Sequence, residues 1–251
     1  MEMPAGGRGR APVGIAGRMT DFPAAMPHGP LVEVFPDVFM VTGGFRFAPG
    51  VTISRNMTVL RHRGELTFIN SVRLSDAGEA EIEKLGRPKH LLRIGAFHGA
   101  DDPWFMKRFG TTLWAPPGMR HSGDLKTGEE LREGNVPVAD MGVFTFAAGR
   151  RPEVALRLDI EGGVLVTCDA YQNWTHFDDC SLLGRLMMRA MGFGPTLIGG
   201  PWAKQMGPGV RADFTRLTEL PFRHLIPGHG TVLREEAKPG LTTAIQNRFG
   251  G

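Results

Sequence analysis

Residues 223–230 read Arg223-His224-Leu225-Ile226-Pro227-Gly228-His229-Gly230. A short β-rich run meets a proline, which cannot extend a ladder, and then two glycines that flank a histidine. The stretch is a strand that breaks abruptly into a tight loop, and the loop carries one side chain capable of chemistry. Two other stretches share this design. His90–Ala96 breaks into Phe97-His98-Gly99-Ala100-Asp101-Asp102, and Val164–Thr167 breaks into Cys168-Asp169-Ala170. Loops at strand ends are where α/β folds hold reactive side chains. Each of these loops delivers a His or an Asp, the nitrogen and oxygen ligands of a divalent metal. Each residue also has a purely structural explanation: His98 as a satisfied loop histidine, Asp169 as a helix N-cap, His229 as a turn residue. Three recurrences of one design favour a shared site.

Outward from these stretches the chain alternates strands and helices. Leu31–Phe35 and Val38–Thr42 are β-rich runs split by the turn pair Pro36-Asp37, and Met57–His62 and Glu65–Val72 flank Arg63-Gly64 as a hairpin. Ser75 caps a helix over Asp76–Leu85, with acids in its first turn and Gly86 past its end. Pro103–Phe109 reads as a short helix closed by Gly110. Strands follow at Val143–Phe146 and Val154–Ile160, then helices at Ser181–Met191, Ala212–Leu220 and Leu241–Arg248. Strand clusters followed by strand–helix alternation, in both halves, predict an α/β or α+β layered sandwich. No fixed-period repeat is present.

Composition narrows the class. Hydrophobic residues make up 41% and charged residues 22% of 251, near globular averages, so wholesale disorder is excluded. No run of about 18 apolar residues exists to span a membrane. Two cysteines, Cys168 and Cys180, make neither a disulfide scaffold nor a cysteine-rich zinc module and fit a reducing, cytoplasmic setting. The charge sum is +3, and 23 of the 29 basic residues are Arg, spread along the chain without the stripe of a nucleic-acid binder. A small-molecule substrate or ligand, of unspecified identity, is the partner class left, with the oligomeric state open. Residues 1–30 lack periodic apolar pattern and lack the apolar segment of a secretory signal, so they are expected to form a flexible tail ahead of a single domain over 31–251.

The loop Pro227-Gly228-His229-Gly230 and the strand end Leu165-Val166-Thr167-Cys168-Asp169-Ala170, in that spacing, resemble the late motifs of the metallo-β-lactamase-fold superfamily. Those motifs read P-G-H-G and T-G-D. The opening hairpins, the helix and the strand running into His98 follow the same order, and the likeness covers residues 31–235. It implies a four-layer αββα sandwich. The superfamily's H-x-H-x-D-H motif corresponds to His98-Gly99-Ala100-Asp101-Asp102-Pro103, so Ala100 and Pro103 replace two histidines with side chains that cannot ligate. A further family histidine is missing, since no His lies between His121 and His176.

What the resemblance leaves is a ligand set of His98, Asp102, Asp169 and His229, with Asp101 as a local partner. That set implies a degraded centre holding at most one divalent ion (Zn, Fe or Mn), and Asp102 as the group that orients water and takes its proton. The activity implied is that of a hydrolase; the alternative is a non-catalytic binding protein that keeps the scaffold without metal. The apolar stripe Leu182, Leu183, Leu186, Met187, Met188 and Met191 reads as core rather than lid, and Trp104, Phe105 and Trp174 as core or pocket wall. Nucleophile-elbow, Walker and dinucleotide-binding motifs are absent from the sequence.

Overall fold

The structure, a computed structural model, describes residues 22–250. Strands β1 (Val32–Phe35), β2 (Val38–Ala48), β3 (Val51–His62) and β4 (Glu65–Ile69) make an antiparallel meander. Arg63 and Gly64, at φ 52° and 75°, form the paired left-handed turn that suits a two-residue hairpin. Helix α1 (Asp76–Leu85), β5 (Arg87–Leu92), α2 (Asp102–Phe109), β6 (Thr112–Ala115) and β7 (Glu129–Glu130) extend the sheet in parallel to seven strands in sequence order. As expected, Ser75 caps α1, its Oγ accepting from the Gly78 amide at 3.4 Å.

The second half runs through β8 (Met141–Thr145), β9 (Val154–Leu158), β10 (Val164–Val166), β11 (Tyr171–Gln172), α3 (Leu182–Ala190), β12 (Leu197–Ile198), α4 (Gly200–Met206), α5 (Val210–Leu217), β13 (His224–Ile226) and α6 (Ala237–Phe249). Its main sheet has the order β13-β10-β9-β8. Strand alternation decides the layers. Val164, Val166 and Ile226 point between the sheets, against Ile69, Leu92 and Ile94. Leu165 and Leu225 point outward, under Trp202 of α4, Phe214 of α5 and Leu241 of α6. On the first sheet's outer face, Met57, Val59 and Phe68 pack against Ile82 of α1 and Phe105 of α2. The result is the four-layer αββα sandwich.

Two features depart from the sequence reading. The first hairpin pair is longer than expected, because β2 and β3 continue past Thr42 and before Met57 to a turn at Pro49-Gly50. Polar Arg46, Arg55 and Asn56 hid that extension from an apolar pattern. Second, Pro27 and Gly29, placed in the tail by sequence, are hydrogen-bonded to β2: Gly44 N donates to Pro27 O at 2.9 Å and Gly29 N to Thr42 O at 2.8 Å. Residues 1–21 of that tail lie outside the described residues. Among the described residues no helix is long and apolar enough to cross a membrane.

Candidate metal centre

Strands β10 and β13 are parallel neighbours in register, Val166 opposite Ile226, so the loops that follow them leave the same sheet end side by side. The loop after β5 reaches the same point from the other sheet. Three of the four expected residues meet there. His98 Nε2 lies 3.0 Å from His229 Nε2. Asp169 places Oδ2 3.6 Å from His98 Nε2 and Oδ1 3.3 Å from His229 Nε2.

Local bonding explains this convergence. Asn56, 2% exposed on β3, donates through Nδ2 to Pro227 O at 2.9 Å and Gly230 O at 2.7 Å, clamping the loop that carries His229. Gly230, at φ 86°, presses against the Asn173 backbone where no side chain would fit. The Asp169 loop hangs on Glu153. This buried carboxyl accepts from the Asp169 and Ala170 amides through Oε1 at 3.1 and 2.9 Å, and from Trp202 Nε1 through Oε2 at 2.6 Å. Neither Asn56 nor Glu153 carried a sequence signal: one interrupts a strand and the other follows Pro152 as an ordinary surface acid would.

The proton inventory of the cluster is short. His229 Nδ1 donates to Ser54 O at 2.7 Å, since a carbonyl can only accept, and the ring turns Nε2 inward toward His98 and Asp169. Burial holds the His98 imidazolium down to about 3, so this ring is neutral near pH 7. Burial alone would raise the Asp169 carboxyl, but the interactions with His98, His229 and Cys168 outweigh it and hold it at about 2. The Cys168 thiol, pushed well up by burial, donates to Asp169 Oδ2 at 3.4 Å. His98, Cys168 and Asp169 present ligand atoms within 4.8 Å of one another. His229 Nε2 and an Asp169 carboxylate oxygen thus face each other at 3.3 Å, a spacing that a ring N–H or a shared cation can bridge.

The donor set fits one ion. Ligand atoms on bonds of about 2.0–2.2 Å at near-tetrahedral angles stand roughly 3.0–3.5 Å apart; here the two Nε2 atoms are 3.0 Å apart, and the Asp169 carboxylate places Oδ1 3.3 Å from one and Oδ2 3.6 Å from the other. A second ion finds nothing comparable among the described residues. Ala100 is exposed, and Pro103 lies in the first turn of α2.

Asp102 stands apart from the other three residues. It is 1% exposed, its Oδ1 accepts from Ser71 Oγ at 2.6 Å, and its Oδ2 has no partner. Burial raises its carboxyl above the ordinary value, against the Ser71 hydrogen bond and the nearby Arg93. Gly99, at φ 102°, lets Asp102 and Arg93 approach: a Cβ there would lie 2.6 Å from Asp102 Oδ2 and 2.7 Å from the Arg93 guanidinium. Asp101 pairs with Arg55 Nη2 at 2.5 Å and accepts from the Arg73 amide at 2.7 Å. Arg55 and Arg93 are buried cations that the sequence reading passed over.

A cavity of about 280 Å³ opens above the cluster. His98, Asp169, His229 and Arg55 line its floor; Phe45, Ile53, Trp174 and Met188 are among its walls. Helix α3 corrects the expectation of a core stripe. Its methionines Met187 and Met188 line this cavity, as Met191 just after it does, while Leu182, Leu183 and Leu186 face solvent at 73%, 55% and 54% exposure. Trp104 and Phe105 are core under α2, and Trp174 is the aromatic that reaches the site.

No protein-family model matches the chain, and no curated protein sequence does. Solved structures do match. The metallo-β-lactamase FIM-1 from Pseudomonas aeruginosa, in its mono-zinc form, superposes with TM-score 0.64 at 11% identity, over 90% of this chain and 97% of that one. A metallo-β-lactamase from Hirschia baltica gives 0.56 at 14% identity, over 86% and 98%. A flavo di-iron protein from Thermotoga maritima gives 0.62 at 13% identity, over 88% of this chain and 62% of that one. This is a protein of the metallo-β-lactamase fold, far diverged in sequence from the enzymes it resembles.

Proposed function

We propose that this protein holds a single divalent ion, Zn, Fe or Mn, between His98, Asp169 and His229, and acts as a hydrolase on a small molecule in the cavity above. The observation that carries the reading is the convergence of two imidazole Nε2 atoms, 3.0 Å apart, on one carboxylate, whose Oδ2 lies 3.6 Å from His98 and whose Oδ1 lies 3.3 Å from His229. When bound, such an ion supplies Lewis-acid polarisation and an activated water. The chain's own groups do the rest. Ser54 fixes the His229 tautomer, as an outer partner of a ligating histidine does. Asp169 lines the cavity floor as a ligand, and Asp102, which the resemblance offered as proton acceptor, is not among the residues that line it. Asp102 becomes a positioning residue for the turn that presents His98. Cys168 and Cys180 are both free, and we place the protein in the cytoplasm.

A metal-free binding protein is the second reading, and Arg55 favours it. Only 6% exposed and ion-paired with Asp101, this guanidinium offers the cavity floor a cationic hydrogen-bond donor for an anionic ligand without any metal. Elemental analysis of the purified and metal-reconstituted protein separates the two. About one equivalent per chain, lost in His229→Ala, supports the hydrolase; none after reconstitution, or two, overturns it.

A further inference from the structure

Resting on the reading of this cavity as the substrate site, we propose that its occupant is an aliphatic chain, an unbranched alkyl or acyl group whose polar end meets the floor. The walls are apolar, and several of their aromatic faces are already covered. Trp174 is stacked on Phe177 at 5.3 Å and on His229 at 5.7 Å. Arg55 lies over the Phe45 ring at 5.2 Å and Arg151 over the Phe97 ring at 5.0 Å. Among the lining rings Phe47, at the exposed mouth, keeps a face without such a contact. Much of the free wall surface is aliphatic and thioether, from Ile53, Met187 and Met188, and methionine adapts to a chain that changes shape.

The polar side walls offer little to sugars and peptides. Gln172, the buried amide of the wall, is engaged at both ends: its Nε2 donates to Asp169 O at 3.0 Å and its Oε1 accepts from Trp174 Nε1 at 2.7 Å. Apart from the exposed Gln205, the polar side chains of the cavity gather at the floor, as a molecule with one polar terminus requires. Size sets the length. At about 280 Å³, the space holds roughly nine groups of the size of a water molecule's 30 Å³ share. Phe47 and Met191, 57% and 48% exposed, continue the apolar surface to the mouth.

The test uses straight-chain alcohols, which bind without needing a metal, titrated into the whole protein and followed by calorimetry. Affinity is expected to rise about fourfold per methylene from 1-butanol to 1-octanol, the ratio that burial of a CH₂ gives, and to gain little more from 1-octanol to 1-dodecanol. Benzyl alcohol is expected to bind at least tenfold more weakly than 1-octanol. Met187→Trp, at a half-buried position, and Ile53→Phe each narrow the cavity and are expected to weaken 1-octanol at least tenfold while leaving the melting temperature within a few degrees. A flat chain-length series, benzyl alcohol equal to 1-octanol, or unaltered binding in both variants overturns the proposal. Because the alcohols need no ion, a metal-free protein that still shows the series retains this inference and loses only the hydrolase reading.

Discussion

Asn56 holds the His229 loop with two donated hydrogen bonds while its Oδ1 accepts from Thr42 Oγ1 at 2.8 Å. Replacing it by alanine leaves two loop carbonyls and one hydroxyl without their partner. Asn56→Ala is expected to cost about 1–3 kcal/mol in urea unfolding and to loosen His229; an unchanged midpoint would remove the clamp from the account. A second residue-scale prediction concerns His90. Trp114 Nε1, which can only donate, bonds to His90 Nδ1 at 3.0 Å, so the ring is neutral in the fold. Burial holds its pKa below the ordinary 6.5. The unfolded chain therefore takes up a proton first, and the stability this neutral ring contributes is present above 6.5 and lost as pH falls through the folded value. His90→Asn, which can still accept from Trp114, is expected to flatten that part of the pH–stability curve between pH 7 and 5. An identical curve would show that other groups set it.

At the scale of elements, helix α3 is tied to the β2–β3 turn by one residue. Ser181 Oγ accepts from Gly184 N at 3.2 Å and Thr52 N at 3.0 Å, and donates to Gly50 O at 3.1 Å. Ser181→Ala is expected to cost about 1–2 kcal/mol, whereas Leu182→Glu on the exposed face should stay within about 0.5 kcal/mol; chemical denaturation of both variants checks the contrast. The elements also show what the residues alone could tell. α1 was legible because a cap, first-turn acids and an apolar face agree locally. The loops bearing His98, Asp169 and His229 were legible because apolar runs end sharply there. The far half of the β2–β3 hairpin was not, since Gly43, Gly44, Arg55 and Asn56 serve tertiary partners rather than the strand pattern. α4 begins Gly200-Pro201 and lasts seven residues, too short for periodicity to register. The outward leucines of α3 were misread because amphipathic spacing identifies a face without saying which way it turns.

For the whole molecule, the centre is built from residues of both halves, with His98 from the loop of one sheet and Asp169 and His229 from the other. An ion held there would link the two sheets and stabilise the folded state alone. At a free metal concentration of 100 times Kd the gain is about 2.7 kcal/mol. Thermal unfolding should shift upward with added Zn, Fe or Mn and downward with a chelator, and His229→Ala should abolish the shift. A melting temperature indifferent to both metal and chelator would count against the mononuclear reading. The fold as a whole followed from motif order, whereas the separation of Asp102 from the other three residues did not. It depends on Ser71 and Arg93, which approach from β4 and β5 ends that no local pattern connects to it.

The clamp between Asn56 and the His229 loop joins positions 171 and 174 residues apart along the chain. Closing a loop of that length is entropically costly, so the contact belongs late in the folding reaction, after the local hairpins and the helix-linked strands have formed. In kinetic terms, Asn56→Ala should leave the refolding rate of this protein almost unchanged and accelerate unfolding by nearly the full equilibrium loss. The centre would then be the last region to assemble and among the first to open, so its lifetime, more than that of the sheets, would set how long each molecule keeps the site formed.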